Sequence, residues 1–208
     1  MQKSRKGTKP PATDQESLYD AAVRALARRA RATGEMRALL LRRKAAQADV
    51  EAVIQRLRDH GYLDDARFAR SFVASRVEND LHGRVRVRRD LAARRVHPEV
   101  AETAVRGAFD TLDEAKLLRE HLRRKIRISQ HLEKPAKVQA LHRRLLRAGF
   151  RSDTIVGELK RLLRVSSQHS LGEGGDDAKR HRDVVSLRWD ELLDSLAETD
   201  EPESEPRL

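Results

Sequence analysis

Cysteine is absent from this 208-residue chain, which excludes disulfide bonds and thiolate metal sites. Aromatic residues make up only 3% of the sequence, whereas charged residues make up 37%. No apolar run approaches the roughly 18 residues that a membrane-spanning helix needs. The apolar residues are mostly leucine, alanine and valine, so we expect small helical cores. We therefore expect a cytoplasmic protein that makes no membrane contact.

The residue patterns of catalysis are also missing. The sequence contains no glycine-rich phosphate loop, no Gly-x-Ser-x-Gly elbow and no histidine pair at a metal-binding spacing. Six histidines are expected near helix ends or on basic faces: His60, His82, His97, His121, His131 and His142. The adjacent acids Asp64 and Asp65 are interpreted as caps, because a helix start favours anions. We therefore predict no enzymatic activity, no metal site and no cofactor.

Charge is distributed unevenly along the chain. The net charge is +11, but residues 166–208 contain 12 acidic and 5 basic side chains, and residues 1–165 carry a net charge of +18. A basic body attracts phosphate groups or an acidic protein surface. The acidic tail either screens this body or only maintains solubility, and both interpretations stay open. We interpret the basic excess as a binding surface.

Six apolar positions recur three times, at offsets of 51 and 105 residues from the first copy. The first copy contains Met36, Leu40, Ala45, Val50, Ile54 and Leu57. The second contains Val87, Leu91, Val96, Ala101, Val105 and Ala108, and the third contains Leu141, Leu145, Phe150, Ile155, Leu159 and Leu162. Periods of this length indicate one supersecondary unit repeated along the chain. We predict an all-α fold of three tandem three-helix bundles that form an elongated, curved rod.

The predicted organisation follows these repeats. Residues 1–12 are expected to be a disordered basic tail. The three repeats are placed at residues 13–60, 61–110 and 111–165, followed by an acidic linker and tail at 166–208 with a short helix at 184–197. The Thr-x-x-Glu spacing at 13–16 and 111–114 predicts capping boxes at two helix starts. Gly61 and Gly149 are expected to end helices in the left-handed conformation.

Two arginine-rich clusters are the candidate residues for binding DNA or a partner. The first contains Arg84, Arg86, Arg88, Arg89, Arg94 and Arg95. The second contains Arg119, Arg123, Arg124, Lys125 and Arg127, followed by Arg143, Arg144 and Arg147. The alternative to a binding role is that these arginines form a solvated surface without a partner. Most aromatic side chains are expected to face inward, so we predict recognition of shape and charge rather than base stacking.

A nine-residue segment carries a family resemblance. Residues 61–69 read Gly-Tyr-Leu-Asp-Asp-Ala-Arg-Phe-Ala and resemble a signature of the RecX family, regulators of the bacterial recombinase RecA. The matching residues, interpreted as structural, are Gly61, Tyr62, Leu63, Asp64, Asp65, Arg67, Phe68 and Ala69. Residues 83–91 and 147–150 resemble two further family segments, and the resemblance extends over about residues 18–165. Lys44 and Arg95 stand where family members commonly have glycine.

The resemblance implies both a fold and a function. It implies tandem three-helix repeats that bind along the groove of the RecA filament on single-stranded DNA. Such binding would lower the ATPase, strand-exchange and co-protease activities of RecA in homologous recombination, DNA repair and the SOS response, without any catalytic residue. We expect a monomer. The alternative function is a basic helical nucleic-acid-binding protein that acts independently of RecA.

Overall fold

The computed structural model of the chain describes residues 15–126, 134–169 and 191–196, with the side chains of 165–169 excepted. These residues form helices and no strand, so the predicted all-α fold is confirmed for them. The helices are α1 Gln15–Arg28, α2 Thr33–Leu41, α3 Gln47–Asp59, α4 Asp65–Ser75, α5 Arg84–Ala93, α6 Pro98–Phe109, α7 Glu114–Lys125, α8 Pro135–Arg147 and α9 Ser152–His169. A π-helical stretch, Arg76–Asp80, follows α4, and residues 191–196 are helical.

The chain folds as two compact units. Unit 1 comprises the described residues of Met1–Phe72 and Asp90–Ala104, and unit 2 comprises those of Val73–Arg89 and Val105–Leu208. The repeat boundaries at residues 61 and 111 and the elongated rod stay predictions. Among the helices described, none is both long enough and apolar enough to cross a membrane.

The core of unit 1 lies between α1, α2 and α3. Helix α3 packs against both α1 and α2, because Val50, Val53, Ile54 and Leu57 recur with the helical period and form one apolar stripe. Each large aliphatic side chain buried in this way contributes about 1.5–3 kcal/mol. The cluster contains Leu18, Ala22, Met36, Leu40, Val50, Val53, Ile54, Leu57 and Leu63.

The core of unit 2 is centred on α9, which packs against α7 and α8. Its fully buried side chains include Leu118, Leu122, Leu141, Leu145, Phe150, Ile155 and Leu159. Across both units the recurring apolar positions are all buried, apart from Ala45, Ala108 and Leu162, which are half-buried. The period read from the sequence therefore marks the positions that fill the cores.

In chain order the helices form three groups of three: α1–α3, α4–α6 and α7–α9. The joint between the second and third helix of each group has a left-handed residue. Lys44 has φ 58°, Arg95 has φ 57° and Gly149 has φ 92°. The joint therefore keeps one backbone geometry although two copies lack glycine. For a residue with a Cβ this conformation costs about 1–2 kcal/mol. Gly61, after α3, has φ 71°, which confirms the predicted left-handed glycine there.

Two glycines allow a helix start to lie against such a joint. In unit 1, a Cβ on Gly34 of α2 would lie 2.3 Å from the carbonyl oxygen of Arg95. In unit 2, a Cβ on Gly83, just before α5, would lie 2.2 Å from the carbonyl oxygen of Gly149. The amide of Gly83 also donates to the Ala148 carbonyl at 3.0 Å. Backbone therefore packs directly on backbone at both places.

The adjacent acids Asp64 and Asp65 cap different helices. Asp64 Oδ1 accepts a hydrogen bond from the amide of Arg67 at 2.8 Å, which confirms Asp64 as the cap of α4. Asp65 Oδ1 instead accepts from the amide of Thr33 at 2.7 Å. This amide belongs to the first turn of α2, which has no cap from its own N-cap residue, Ala32.

One other expectation about a helix end needs correction, and a second lies partly outside the described residues. Helix α7 begins at Glu114 and its cap is Asp113, which accepts from the Lys116 amide at 3.0 Å. The predicted capping box at 111–114 is therefore wrong, because the Thr111 hydroxyl donates to the Ala108 carbonyl instead. The predicted box at 13–16 begins at residues 13 and 14, which lie outside the described residues.

Candidate partner-binding surfaces

The first arginine cluster divides between the two units. Arg84, Arg86, Arg88 and Arg89 belong to unit 2, and Arg94 and Arg95 belong to unit 1. The periodicity explains the inward face of α5, since Val87 and Leu91 are fully buried. Arg88, Arg89 and Arg95 are exposed, whereas the other three arginines are half-buried.

Some arginines of this cluster have structural contacts. The Arg84 guanidinium lies over the Phe109 ring, 5.4 Å from its centroid, and its Nε is 4.0 Å from a carboxylate oxygen of Glu114. Burial raises the pKa of the Glu114 carboxyl, and the opposing charge of Arg84 only partly offsets this. Arg89 donates to the Arg147 carbonyl at 3.4 Å, at the last turn of α8. Arg84 therefore contributes more to packing than to an exposed surface.

The second cluster begins on α7. Arg119 pairs with the buried Glu158 at 3.4 Å and with Asp113 at 3.5 Å. Arg123 and Arg124 share the carboxylate of Glu120, and hydrogen bonds from Arg123 first and then Arg124 lower its pKa to about 2. The side chains of Arg123 and Arg124 are nevertheless 71% and 52% exposed. They keep an exposed positive face beyond their shared acid.

Two hydrogen bonds from exposed arginines connect helices of unit 2. Arg144 donates to the Lys125 carbonyl at 3.3 Å and so ties α8 to the end of α7. The Arg89 bond to Arg147 ties α5 to the end of α8. We use the name basic surface for seven exposed cationic residues of unit 2 on these helices: Arg89, Arg123, Arg124, Lys125, Arg143, Arg144 and Arg147. Arg127 lies outside the described residues.

Two histidines expected at helix ends or on basic faces are buried instead. His121 shares a ring contact with Phe150, and its Nδ1 is 3.0 Å from the Leu81 carbonyl. Burial lowers the pKa of His121, so the neutral ring donates from Nδ1. His142 Nε2 is 3.1 Å from the Ser152 hydroxyl. In the part of the chain that the structure describes, no group of three or more acidic or histidine side chains is placed to hold a metal ion.

Residues 191–196 lie against α9 within unit 2. Leu193 is fully buried, and the Ser152 hydroxyl donates to the Leu196 carbonyl at 3.3 Å. Lys160 Nζ is 2.6 Å from Asp194 Oδ1. The rest of the predicted helix at 184–197 lies outside the described residues.

A cleft of about 780 Å³ in unit 1, which we name the motif cleft, lies between the end of α1, the 61–64 loop and α4. Its apolar wall contains Val23, Leu26, Phe68 and Phe72. Its cationic residues are Arg29, Arg31, Arg67 and Arg94. Tyr62 is 51% exposed, and Phe68 and Phe72 are only half-buried. The expectation that most aromatics face inward is therefore wrong for these three, because the 61–64 loop places Tyr62, and α4 places Phe68 and Phe72, at the cleft rather than in the core.

Positive charge is in excess around the motif cleft. Glu35 bridges Arg29 at 3.0 Å and Arg94 at 3.3 Å. Arg67 donates to the Gly61 carbonyl at 2.8 Å. The Nε atom of Arg31 is buried and has no hydrogen-bond acceptor among the described residues. Burial first, and then the charge of Arg29, lowers the pKa of Arg31. Apart from the family motif itself, no pattern in the sequence indicates this cleft.

The fold is that of an all-helical protein built from consecutive three-helix groups. Family models for the first and second three-helix domains of RecX match residues 19–57 and 64–105. The regulatory protein RecX of Vibrio parahaemolyticus is 33% identical over 129 residues, which are 62% of this chain and 83% of the relative. That of Shigella dysenteriae is 36% identical over 118 residues, covering 52% and 69%. This chain belongs to the RecX family.

Other comparisons agree with this assignment. The regulatory protein RecX of Halorhodospira halophila is 39% identical over 106 residues, which are 50% of this chain and 65% of the relative. The match therefore spans slightly less than two thirds of that relative, and 62% of the one from Chromohalobacter salexigens. The crystal structure of RecX from Lactobacillus salivarius has a TM-score of 0.61 at 22% identity, with 74% of this chain and 99% of that chain covered. This likeness supports the fold.

Proposed function

We propose that this protein regulates RecA by binding in the groove of the RecA filament on single-stranded DNA. Bound there, it lowers ATPase, strand-exchange and co-protease activity, and so acts in homologous recombination, DNA repair and the SOS response. Family membership supports this proposal, because the relatives are named regulatory proteins. The structural observation that carries it is the basic surface of unit 2. On that surface Arg123 and Arg124 stay 71% and 52% exposed, although both pair with the carboxylate of Glu120.

A surface of this kind suits a polymer. The cations of the basic surface come from α5, α7 and α8, so several phosphates or carboxylates can be contacted at once. Individually weak contacts then sum to stable binding. Each neutralised DNA phosphate adds roughly one unit to the log–log salt slope of binding. Regulation needs only that the groove is occupied, which agrees with the predicted absence of enzymatic activity.

The test is a titration of RecA ATPase on single-stranded DNA. We expect the unaltered protein to lower the rate at substoichiometric amounts, and an unchanged rate at saturation would contradict the proposal. Charge reversal of Arg123, Arg124 and Lys125 to Glu should weaken inhibition strongly. The matched control reverses Lys3, Arg5 and Lys6, which changes the net charge equally. Equal losses would show that net charge, rather than its placement, determines inhibition.

The basic surface also favours a second candidate, direct nucleic-acid binding without RecA. This function predicts tight binding of a labelled oligonucleotide at physiological salt, unaffected by added RecA. The RecA proposal predicts instead that retention on DNA increases strongly when RecA is present. Fluorescence anisotropy of a labelled dT30 oligonucleotide, with and without RecA, separates the two.

A further inference from the structure

We propose that the motif cleft is a docking site for an acidic peptide segment of the protein partner, one that carries a large apolar side chain. This inference rests on the proposed function, in which the partner is RecA. It assigns unit 1 a protein contact that is distinct from the basic surface of unit 2.

The shape and lining of the cleft fit an apolar side chain. A volume of about 780 Å³ lies within the range of natural ligand sites, which are mostly apolar with a few polar groups. The wall formed by Val23, Leu26 and Phe68 offers aliphatic carbons and ring edges. Exposed apolar surface of this kind, surrounded by charged side chains, is typical of interaction sites.

The positive charge of the cleft favours binding of an anionic group. Four arginines line or border the space, and the carboxylates beside them are Glu35 and Asp64. Both carboxylates have other partners, since Glu35 bridges two arginines and Asp64 caps α4. Arg31 therefore stands among like charges, with its buried Nε unpaired in the described part of the chain. An incoming carboxylate would supply a counter-charge to the Arg31 guanidinium.

The aromatic rings favour a peptide over single-stranded nucleic acid. Base stacking needs an accessible ring face. The Phe72 ring stacks on Phe68, with centroids 5.9 Å apart and planes 24° apart. The Arg94 guanidinium lies over the Phe72 ring, 5.8 Å from its centroid. Both contacts already engage the Phe72 ring, and Val23 and Leu26 add aliphatic wall rather than ring face, so the cleft suits an apolar side chain better than a row of stacked bases.

The first test is photo-cross-linking of the full chain. Tyr62 is replaced by p-benzoylphenylalanine, because its exposed ring lines the cleft. The protein is irradiated with RecA filaments on dT30, and the cross-linked products are mapped by mass spectrometry. We expect the adduct on an acidic segment of RecA. An adduct on DNA, on a basic segment or on neither molecule would overturn the proposal. The same replacement at Leu41, which is 42% exposed outside the cleft, is the control.

The second test compares two charge reversals. Arg31→Glu changes the cleft, whereas Arg70→Glu makes the same charge change at an exposed position of α4 outside it. We expect Arg31→Glu to weaken RecA binding at least about tenfold and Arg70→Glu to change it less than about twofold. Neither should change binding of dT30 alone, and far-UV circular dichroism confirms that both variants fold.

The outcomes separate this inference from the proposed function. If the unaltered chain inhibits RecA and both variants bind RecA equally well, the docking site is refuted and the proposed function stands. If the unaltered chain does not bind RecA, both are refuted. If Arg31→Glu weakens dT30 binding instead of RecA binding, the cleft is a nucleic-acid site and the peptide proposal fails.

Discussion

Replacing Gly149 by alanine should be among the most destabilising single changes in unit 2. The residue has φ 92°, which costs an alanine about 1–2 kcal/mol. The added Cβ would lie 2.3 Å from the Arg86 amide nitrogen and 2.4 Å from its Cβ. Relief requires α5 to move away, which breaks the 3.1 Å hydrogen bond from the Val85 amide to the Gly149 carbonyl and weakens the Gly83 bond to Ala148. At about 1 kcal/mol for each bond, we expect a total loss of about 3–4 kcal/mol.

Two control variants separate backbone strain from contact. Gly61→Ala meets nothing within 4 Å but has φ 71°, so we expect only the strain, about 1 kcal/mol. Gly83→Ala has the close contact with Gly149 without a positive φ. Urea unfolding followed by far-UV circular dichroism gives the free energies, and amide hydrogen exchange of α8 and α9 localises the effect. A loss for Gly149→Ala no larger than that for Gly61→Ala would refute the packing of α5 on this joint.

Three further results are expected. Lys44→Gly should raise the free energy of unfolding by about 1 kcal/mol, because glycine relieves the left-handed strain at φ 58°; a lower thermal midpoint would contradict this. Because the pKa of His121 is lowered in the folded state, the unfolded state binds this proton at a higher pH than the folded state does, so the free energy of unfolding should fall as pH drops below the ordinary value of 6.5. His121→Gln should reduce this pH dependence in urea titrations at several pH values, and an unchanged slope would contradict it. Glu120→Gln should strengthen dT30 binding and its salt dependence, because Arg123 and Arg124 lose their counter-charge; unchanged anisotropy would count against the basic surface.

Helix positions and core residues were accessible from the sequence because burial on a helix has a period. The stripe of Val50, Ile54 and Leu57 in α3 is visible without coordinates, and its copies predict the other cores. His121 was also accessible in principle, since it lies beside Leu118 and Leu122 on the same stripe of α7. Its residue type, rather than its position, led to the wrong expectation.

Features that depend on packing between distant segments were not accessible. Asp65 caps a helix whose first turn lies 32 residues earlier, so local spacing alone predicts the wrong helix for it. The motif cleft requires the end of α1, the start of α4 and Arg94 to come together. The family motif marks its residues, but the sequence indicates neither its depth nor the positive charge around it.

The glycines at 34 and 83 restrict how such a protein can be cut or extended. Each is a side-chain-free position where one group's helix lies against the backbone of the following group's joint. A fragment ending at residue 110 would keep Gly83 but lose the 148–149 segment that it packs on. Truncations designed from the sequence period would therefore expose backbone that is normally covered at these contacts. We expect such fragments to aggregate. By the same reasoning, a protein with an additional copy of a group would fold only if the new copy kept a glycine at the equivalent position, where its helix start meets the backbone of the next joint.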